Sequence, residues 1–263
     1  MELRKLILTK NNCYITGKPL TPKGIMVHST GANNPNLRRY IGPDDGLLGP
    51  NQYGNHWNQP TPDGRSVCVH AFIGKLLDGS IAAYQTLPWS MRAWHAGSGM
   101  KGSANDTHIG FEICEDGLTD SVYFGKVYQE AVEFCAYLCK QHDLDPLADG
   151  VLIDHREGYK YGIASDHSDA GYWFSRFGKS MDTFRAAVKN LMEDESMTQE
   201  QFNKMYEAMI AAEQDGDDPS PWAKEACEVA KGVFQGDGQG NYGWKQPLTR
   251  EMAAVILQRT GIV

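Results

Sequence analysis

Eight histidines are spread through the 263 residues, and two stand where a chemist would look first. His28 follows Ile25-Met26-Val27, and His155 follows Val151-Leu152-Ile153-Asp154. An apolar strand ending in His sets an imidazole at the rim of a sheet. His167 and Asp169 come 12 and 14 residues after His155, in Ala164-Ser165-Asp166-His167-Ser168-Asp169. Two neutral imidazoles and a carboxylate, with one coordination position left for water, are the donor set of a catalytic zinc site. Each residue also has a plainer use. A strand-terminal His can be a hydrogen-bonded structural residue, and Asp166 or Asp169 can cap the turn before Tyr172-Trp173-Phe174.

Glu112 adds a different kind of group. In His108-Ile109-Gly110-Phe111-Glu112-Ile113-Cys114, alternation puts Ile109, Phe111 and Ile113 on one face and His108, Glu112 and Cys114 on the other. Burial without a paired charge would raise the Glu112 pKa toward the range useful for proton transfer. The alternative is a solvated face of an edge strand.

These groups need a scaffold, and four apolar runs read as strands: Ile25-Met26-Val27, 67–73, 109–113 and Val151-Leu152-Ile153. Helical spacing appears within 121–141 (Val127, Ala131, Phe134, Leu138) and 180–192 (Phe184, Val188, Leu191). Asp78-Gly79 signals a hairpin between Phe72-Ile73 and Ile81-Ala82. Strands mixed with helices in this way predict an α/β or α+β domain over 1–192. A helical spacer and acidic linker follow over 193–219, where Thr198 and Gln201 form a capping-box signature. A small helical unit over 220–263 ends the chain, with Ser220-Pro221 and Thr249 as helix starts.

Composition narrows the partners. Hydrophobic content of 41% and charged content of 22% are ordinary for a globular chain and exclude disordered and collagen-like classes. With 25 Lys+Arg against 33 Asp+Glu the net charge is −8, which disfavours a nucleic-acid surface. Residues 193–263 hold 6 Lys/Arg and 13 Asp/Glu, hence 6 − 13 = −7, so the acidity belongs almost wholly to the C-terminal part. No apolar run approaches the ~18 residues of a membrane helix, and Leu6-Ile7-Leu8 is too short for an export signal, so the expectation is a protein made in the cytoplasm. The six cysteines (13, 68, 114, 135, 139, 227) form no CxxC pair and are expected as reduced, mostly buried thiols. His56, His70 and His142 read as surface, sheet-face and helix-end residues respectively.

Met26-Val27-His28-Ser29-Thr30, Ala93-Trp94-His95-Ala96-Gly97, Ile109-Gly110-Phe111-Glu112, and His155 followed by His167-Ser168-Asp169 and Trp173 resemble, in this order, the motifs of the zinc-dependent type-2 N-acetylmuramoyl-L-alanine amidases, which share a fold with peptidoglycan-recognition proteins. The resemblance spans roughly 20–190 and implies an α/β fold with a mixed central sheet flanked by helices. It implies one zinc ion held by His28, His155 and Asp169, with Glu112 as the catalytic carboxylate and Trp94 and His95 lining the substrate groove. The family usually has Lys two residues before the third ligand. Here that position is His167, which implies either a hydrogen-donating oxyanion stabiliser or a third ligand with Asp169 behind it. The implied reaction cleaves the amide between N-acetylmuramic acid and L-alanine of peptidoglycan. Such an enzyme would serve as a phage or prophage endolysin, acting on the wall after release from the host cytoplasm, or as a bacterial autolysin. A non-catalytic peptidoglycan binder and an unrelated metal amidase of small anhydromuropeptides are the other readings.

At the C-terminus, Pro221-Trp222-Ala223, Gly232-Val233-Phe234 and Pro247-Leu248-Thr249-Arg250 resemble a single S-layer-homology repeat. That implies contact with cell-wall polysaccharide through Arg250, with self-association supplying the multivalency that one repeat lacks. A helical appendage that packs or dimerises is the plainer alternative.

Overall fold

The expected strands assemble largely in parallel, which brings their C-terminal ends, and the residues just beyond them, to one rim. The computed structural model describes residues 1, 3–194, 203–206, 219, 221–231, 239 and 250–259. It divides into two compact units, Met1–Glu195 and Ser196–Val263. In the first, six strands, β1 (Leu3–Lys5), β2 (Gly24–Ser29), β3 (Ala71–Lys75), β4 (Ile81–Gln85), β5 (His108–Ile113) and β6 (Leu152–Asp154), form one mixed sheet in the order β1-β4-β3-β5-β2-β6. Only the β3–β4 pair is antiparallel, and it is the hairpin signalled by Asp78-Gly79. The run 67–73 contributes less strand than its sequence predicts: β3 begins at Ala71, because Cys68 pairs instead with Trp94 in an isolated bridge.

Helices α1 (Asn12–Thr16), α2 (Ser121–His142), α3 (His155–Tyr161), α4 (Ala170–Arg176) and α5 (Met181–Asp194) complete the unit. Asp120 caps α2 by accepting from Val122 and Tyr123 N–H, and His142 closes its last turn. One sheet face (Ile25, Val27, Ile109, Phe111, Ile113) packs on Phe124, Val127, Phe134 and Leu138 of α2, with Trp173, Phe174, Phe184 and Val188 from α4 and α5 extending the same cluster. Burying a large apolar side chain there contributes about 1.5–3 kcal/mol before cavity terms. On the opposite face Phe72, Tyr84 and Cys114 lie under Leu37, Tyr40, Ile41 and Trp57 from the long segment between β2 and β3, while Met26 and Ile153 pack with Ala96 and Ala164.

The cysteine expectation needs correction. Cys13 and Cys68 are joined in a disulfide, tying α1 to the segment that pairs with Trp94; Cys114, Cys135 and Cys139 are buried thiols. Among the described residues, no helix is long and apolar enough to cross a membrane. In the second unit a turn Pro221–Ala223 leads into helix Lys224–Ala230, and a further helix covers Arg250–Arg259. The capping signature at 198–201, the acidic loop 214–218, the glycine-rich turn around 236–243, Thr249 and the Arg250 side chain lie outside what is described.

Candidate metal centre and cleft

Parallel register makes the first contact of the site. His28 of β2 lies beside Glu112 of β5, and residues in register on parallel neighbours share a face. Directly after β6, His155 is the first residue of α3, and a capping box holds that turn: the Asp154 carboxylate accepts from Glu157 N–H at 2.7 Å while Glu157 Oε2 accepts from Asp154 N–H at 3.2 Å. Arg185 of α5 braces the same turn, donating to both Glu157 carboxylate oxygens (2.9 and 3.1 Å) and to the Leu152 carbonyl (2.9 Å). Asp169 does two jobs. Its Oδ1 caps α4 by accepting from Ala170 N–H at 2.8 Å, and its Oδ2 sits 3.1 Å from His28 Nδ1 and 3.5 Å from His155 Nδ1. The cap and the ligand readings of Asp169 are therefore compatible, one for each oxygen.

The tautomers follow from the outer partners. His95 Nε2 faces the His108 carbonyl at 3.3 Å, and a carbonyl only accepts, so Nε2 carries the proton and Nδ1 of neutral His95 is an acceptor. His28 Nε2, 2.9 Å from that Nδ1, must then donate, leaving His28 Nδ1 as a lone pair. His155 Nε2 likewise faces Ser165 Oγ at 3.3 Å, while that hydroxyl donates to the Ala96 carbonyl. Its Nδ1, too, is left as a lone pair, 3.2 Å from His28 Nδ1. Three acceptors thus face one another at separations of 3.1, 3.2 and 3.5 Å. Ligands of a tetrahedral zinc ion lie about 3.3 Å apart when the bonds are about 2.05 Å. Among the described residues, His28, His155 and Asp169 are the group of side chains placed to hold a metal ion.

Electrostatics separate the two carboxylates. Burial alone would raise the Asp169 pKa, but the His155 and His28 imidazoles facing it outweigh that and hold the group well below the usual carboxylate range. Glu112 has no such donors: burial first, then the nearby charges of Asp169 and Glu115, raise its pKa well above the ordinary value, and its Oε2 is buried without a partner. Burial, reinforced by the neighbouring imidazoles, keeps His95 neutral.

A cleft of about 450 Å³ opens over these groups, lined among others by Trp94, His95, Glu112, His155, His167 and Asp169. Trp94 is 44% exposed there. His167 is exposed, its Nδ1 3.1 Å from Ser165 Oγ and its ring 5.0 Å from that of His155. Sequence reading left several groups unassigned: Ser165, Tyr40, Trp57 and Arg65 also line the cleft, and Glu115 accepts from Ser29 Oγ while its N–H donates to Thr30 Oγ1, fastening the end of β2 to that of β5. Ser165 had a detectable signal, lying two residues from His167; Arg65 and Glu115 had none.

Residues 18–172 match the family described as N-acetylmuramoyl-L-alanine amidase (Amidase_2). Among solved structures, the Staphylococcus aureus hydrolase AmiA in complex with its ligand is similar at 17% identity and a TM-score of 0.53, covering 73% of this chain and 83% of that one. The PlyG catalytic domain is similar at 20% identity and a TM-score of 0.50, covering 72% of this chain and 94% of that one. Both likenesses concern the fold. No curated protein sequence matches this chain.

Proposed function

The chain belongs to the N-acetylmuramoyl-L-alanine amidase family, matched over more than half its length, and from that footing we propose a zinc-dependent peptidoglycan hydrolase of the endolysin type. The observation that supports the metal is the meeting of three unprotonated donors, His28 Nδ1, His155 Nδ1 and Asp169 Oδ2, at tetrahedral-edge distances. Zinc bound there supplies Lewis-acid polarisation of the scissile carbonyl and acidifies a water molecule.

The protein's own groups do the rest. Glu112, with a raised pKa and an unpartnered Oε2, takes the proton of the attacking water and returns one to the departing nitrogen. A C–O bond forms, the C–N bond breaks, and the products are the lactyl carboxylate of N-acetylmuramic acid and the free amine of L-alanine. His167, exposed at the cleft with its Nδ1 turned toward Ser165, is placed to donate from Nε2, as an imidazolium, to the developing oxyanion, the task assigned to Lys elsewhere in the resemblance. Trp94 offers a flat apolar wall for the substrate. The C-terminal unit serves retention on wall polysaccharide, through Arg250 or by self-association, and the enzyme reaches the wall after release from the producing cell.

Digestion of purified peptidoglycan tests this reading. New L-alanine amino termini without new reducing sugars are expected, together with about one zinc per chain; reducing sugars alone would replace the amidase with a glycosidase. Removing 193–263 is expected to weaken binding to whole walls more than hydrolysis of soluble muropeptide, and equal losses would remove the retention role.

A further inference from the structure

We infer that His95 is a positioning residue for the metal ligand His28, fixing which of its nitrogens faces the metal, rather than a contact for substrate. This rests on the zinc reading above. His95 lines the cleft, yet both its ring nitrogens are engaged inside the protein: Nδ1 with His28 Nε2 at 2.9 Å and Nε2 with the His108 carbonyl at 3.3 Å. A main-chain carbonyl cannot donate, so the direction of the whole chain is set from the β5 end: His95 donates to His108, His28 donates to His95, and His28 Nδ1 is bare on the side where Asp169 and His155 lie. An outer partner of this kind fixes tautomer and ring orientation of a ligating histidine and raises its basicity.

The surroundings of His95 suit a fixed part. Asn105, fully buried, accepts from the backbone N–H of His95 (2.7 Å) and of Ala96 (2.9 Å) through one oxygen, so the residue is held at its main chain as well as its ring. The ring lies on Gly110 of β5: a Cβ at that position would come 2.4 Å from His95 Cγ. The two sequence motifs Ala93-Trp94-His95-Ala96-Gly97 and Ile109-Gly110-Phe111-Glu112 are therefore a single packing unit, in which the glycine of one makes room for the imidazole of the other, and the strand that bears Glu112 also directs His28.

Zinc affinity measured by competition with a chromophoric chelator, on the full chain, tests the assignment. His95→Ala is expected to weaken zinc binding by about 10–100-fold with the KM for soluble muropeptide little changed. His95→Gln, whose amide can both accept and donate, is expected to recover most of that loss. Gly110→Ala keeps the imidazole but displaces it, and zinc affinity is expected to fall as in His95→Ala; should this variant misfold, the Ala and Gln pair at 95 decides alone. Nitrogen NMR of the zinc-free protein is expected to show His28 protonated at Nε2 in the native chain and a mixture of tautomers in His95→Ala. Unchanged zinc affinity and tautomer in His95→Ala, with a raised KM, would return His95 to substrate contact. A native chain that binds no zinc but keeps the Nε2 tautomer would sink the metal reading and leave the His95–His28 relation standing.

Discussion

Two pairs of histidines lie within or directly beside the strands of one sheet and differ in what their nitrogens meet. His70 and His108 are saturated: His70 Nε2 donates to the Met91 carbonyl at 2.8 Å and its Nδ1 accepts from Gly110 N–H at 3.0 Å, while His108 Nε2 donates to the Gly150 carbonyl at 2.9 Å and its Nδ1 accepts from the Thr107 hydroxyl at 2.8 Å. His28 and His155, at the rim, each have one nitrogen spoken for and the other turned toward a like acceptor. Burial does not distinguish the pairs, since all four are buried. What distinguishes them is the unused lone pair, which a metal ligand needs and a purely structural imidazole does not.

The sharpest way to break this contrast is substitution across it. His28→Ala and His155→Ala are expected to abolish zinc binding and lower turnover by at least the 10²–10⁴-fold typical of losing a catalytic proton carrier, with metal content read by elemental analysis. Either variant retaining one zinc per chain would erase the distinction. Glu112→Gln is expected to keep the zinc and lose about 10²–10⁴-fold in kcat, which single-turnover kinetics would show. On the other side, His70→Ala is expected to leave zinc stoichiometry intact and cost roughly 2–4 kcal/mol in denaturant unfolding, because a buried cavity is added to a Gly110 N–H and a Met91 carbonyl without partners.

His70 also has a pH signature. Burial, ahead of its backbone bonds, lowers its pKa from 6.5 to about 4, so between these values the unfolded chain binds the proton and the native chain does not. Stability therefore rises with pH through that window and falls as the pH drops from about 6.5 to about 4, by up to roughly 3 kcal/mol. Titrating unfolding free energy should show a shallower slope in His70→Phe than in the native chain, the remainder coming from His95 and His108, whose pKa values burial also lowers. The smallest effect is expected from His108→Leu, about 1–2 kcal/mol, since it strands the Gly150 carbonyl near the surface end of β5.

Much of this was legible in sequence because it depends on short-range periodicity. Alternation set Ile109, Phe111 and Ile113 on one face, which packs on α2, and Glu112 on the other, which faces the cleft, and the apolar runs before His28 and His155 located the rim. The helices α2 and α5 fall where their spacing puts them. What spacing could not reveal are contacts set by the third dimension. Arg185 reaches Glu157 across 28 residues to steady the turn at His155, and His95 meets His28 across 67. Nor does any spacing say that Asp169 would divide its oxygens between a helix cap and two imidazoles. Cys13 and Cys68, 55 positions apart with no paired motif, gave no sign of bonding.

That last bond has a consequence beyond the local wall it ties together. Closing a loop of this length withdraws conformational freedom from the unfolded chain, worth about 4 kcal/mol in the loop-entropy description. The molecule accordingly has two different resistances to unfolding, one in thiol-rich surroundings and another where oxidants prevail. Val67 and Val69, which flank Cys68, line the cleft, so the bond anchors the chain directly behind one wall of the groove.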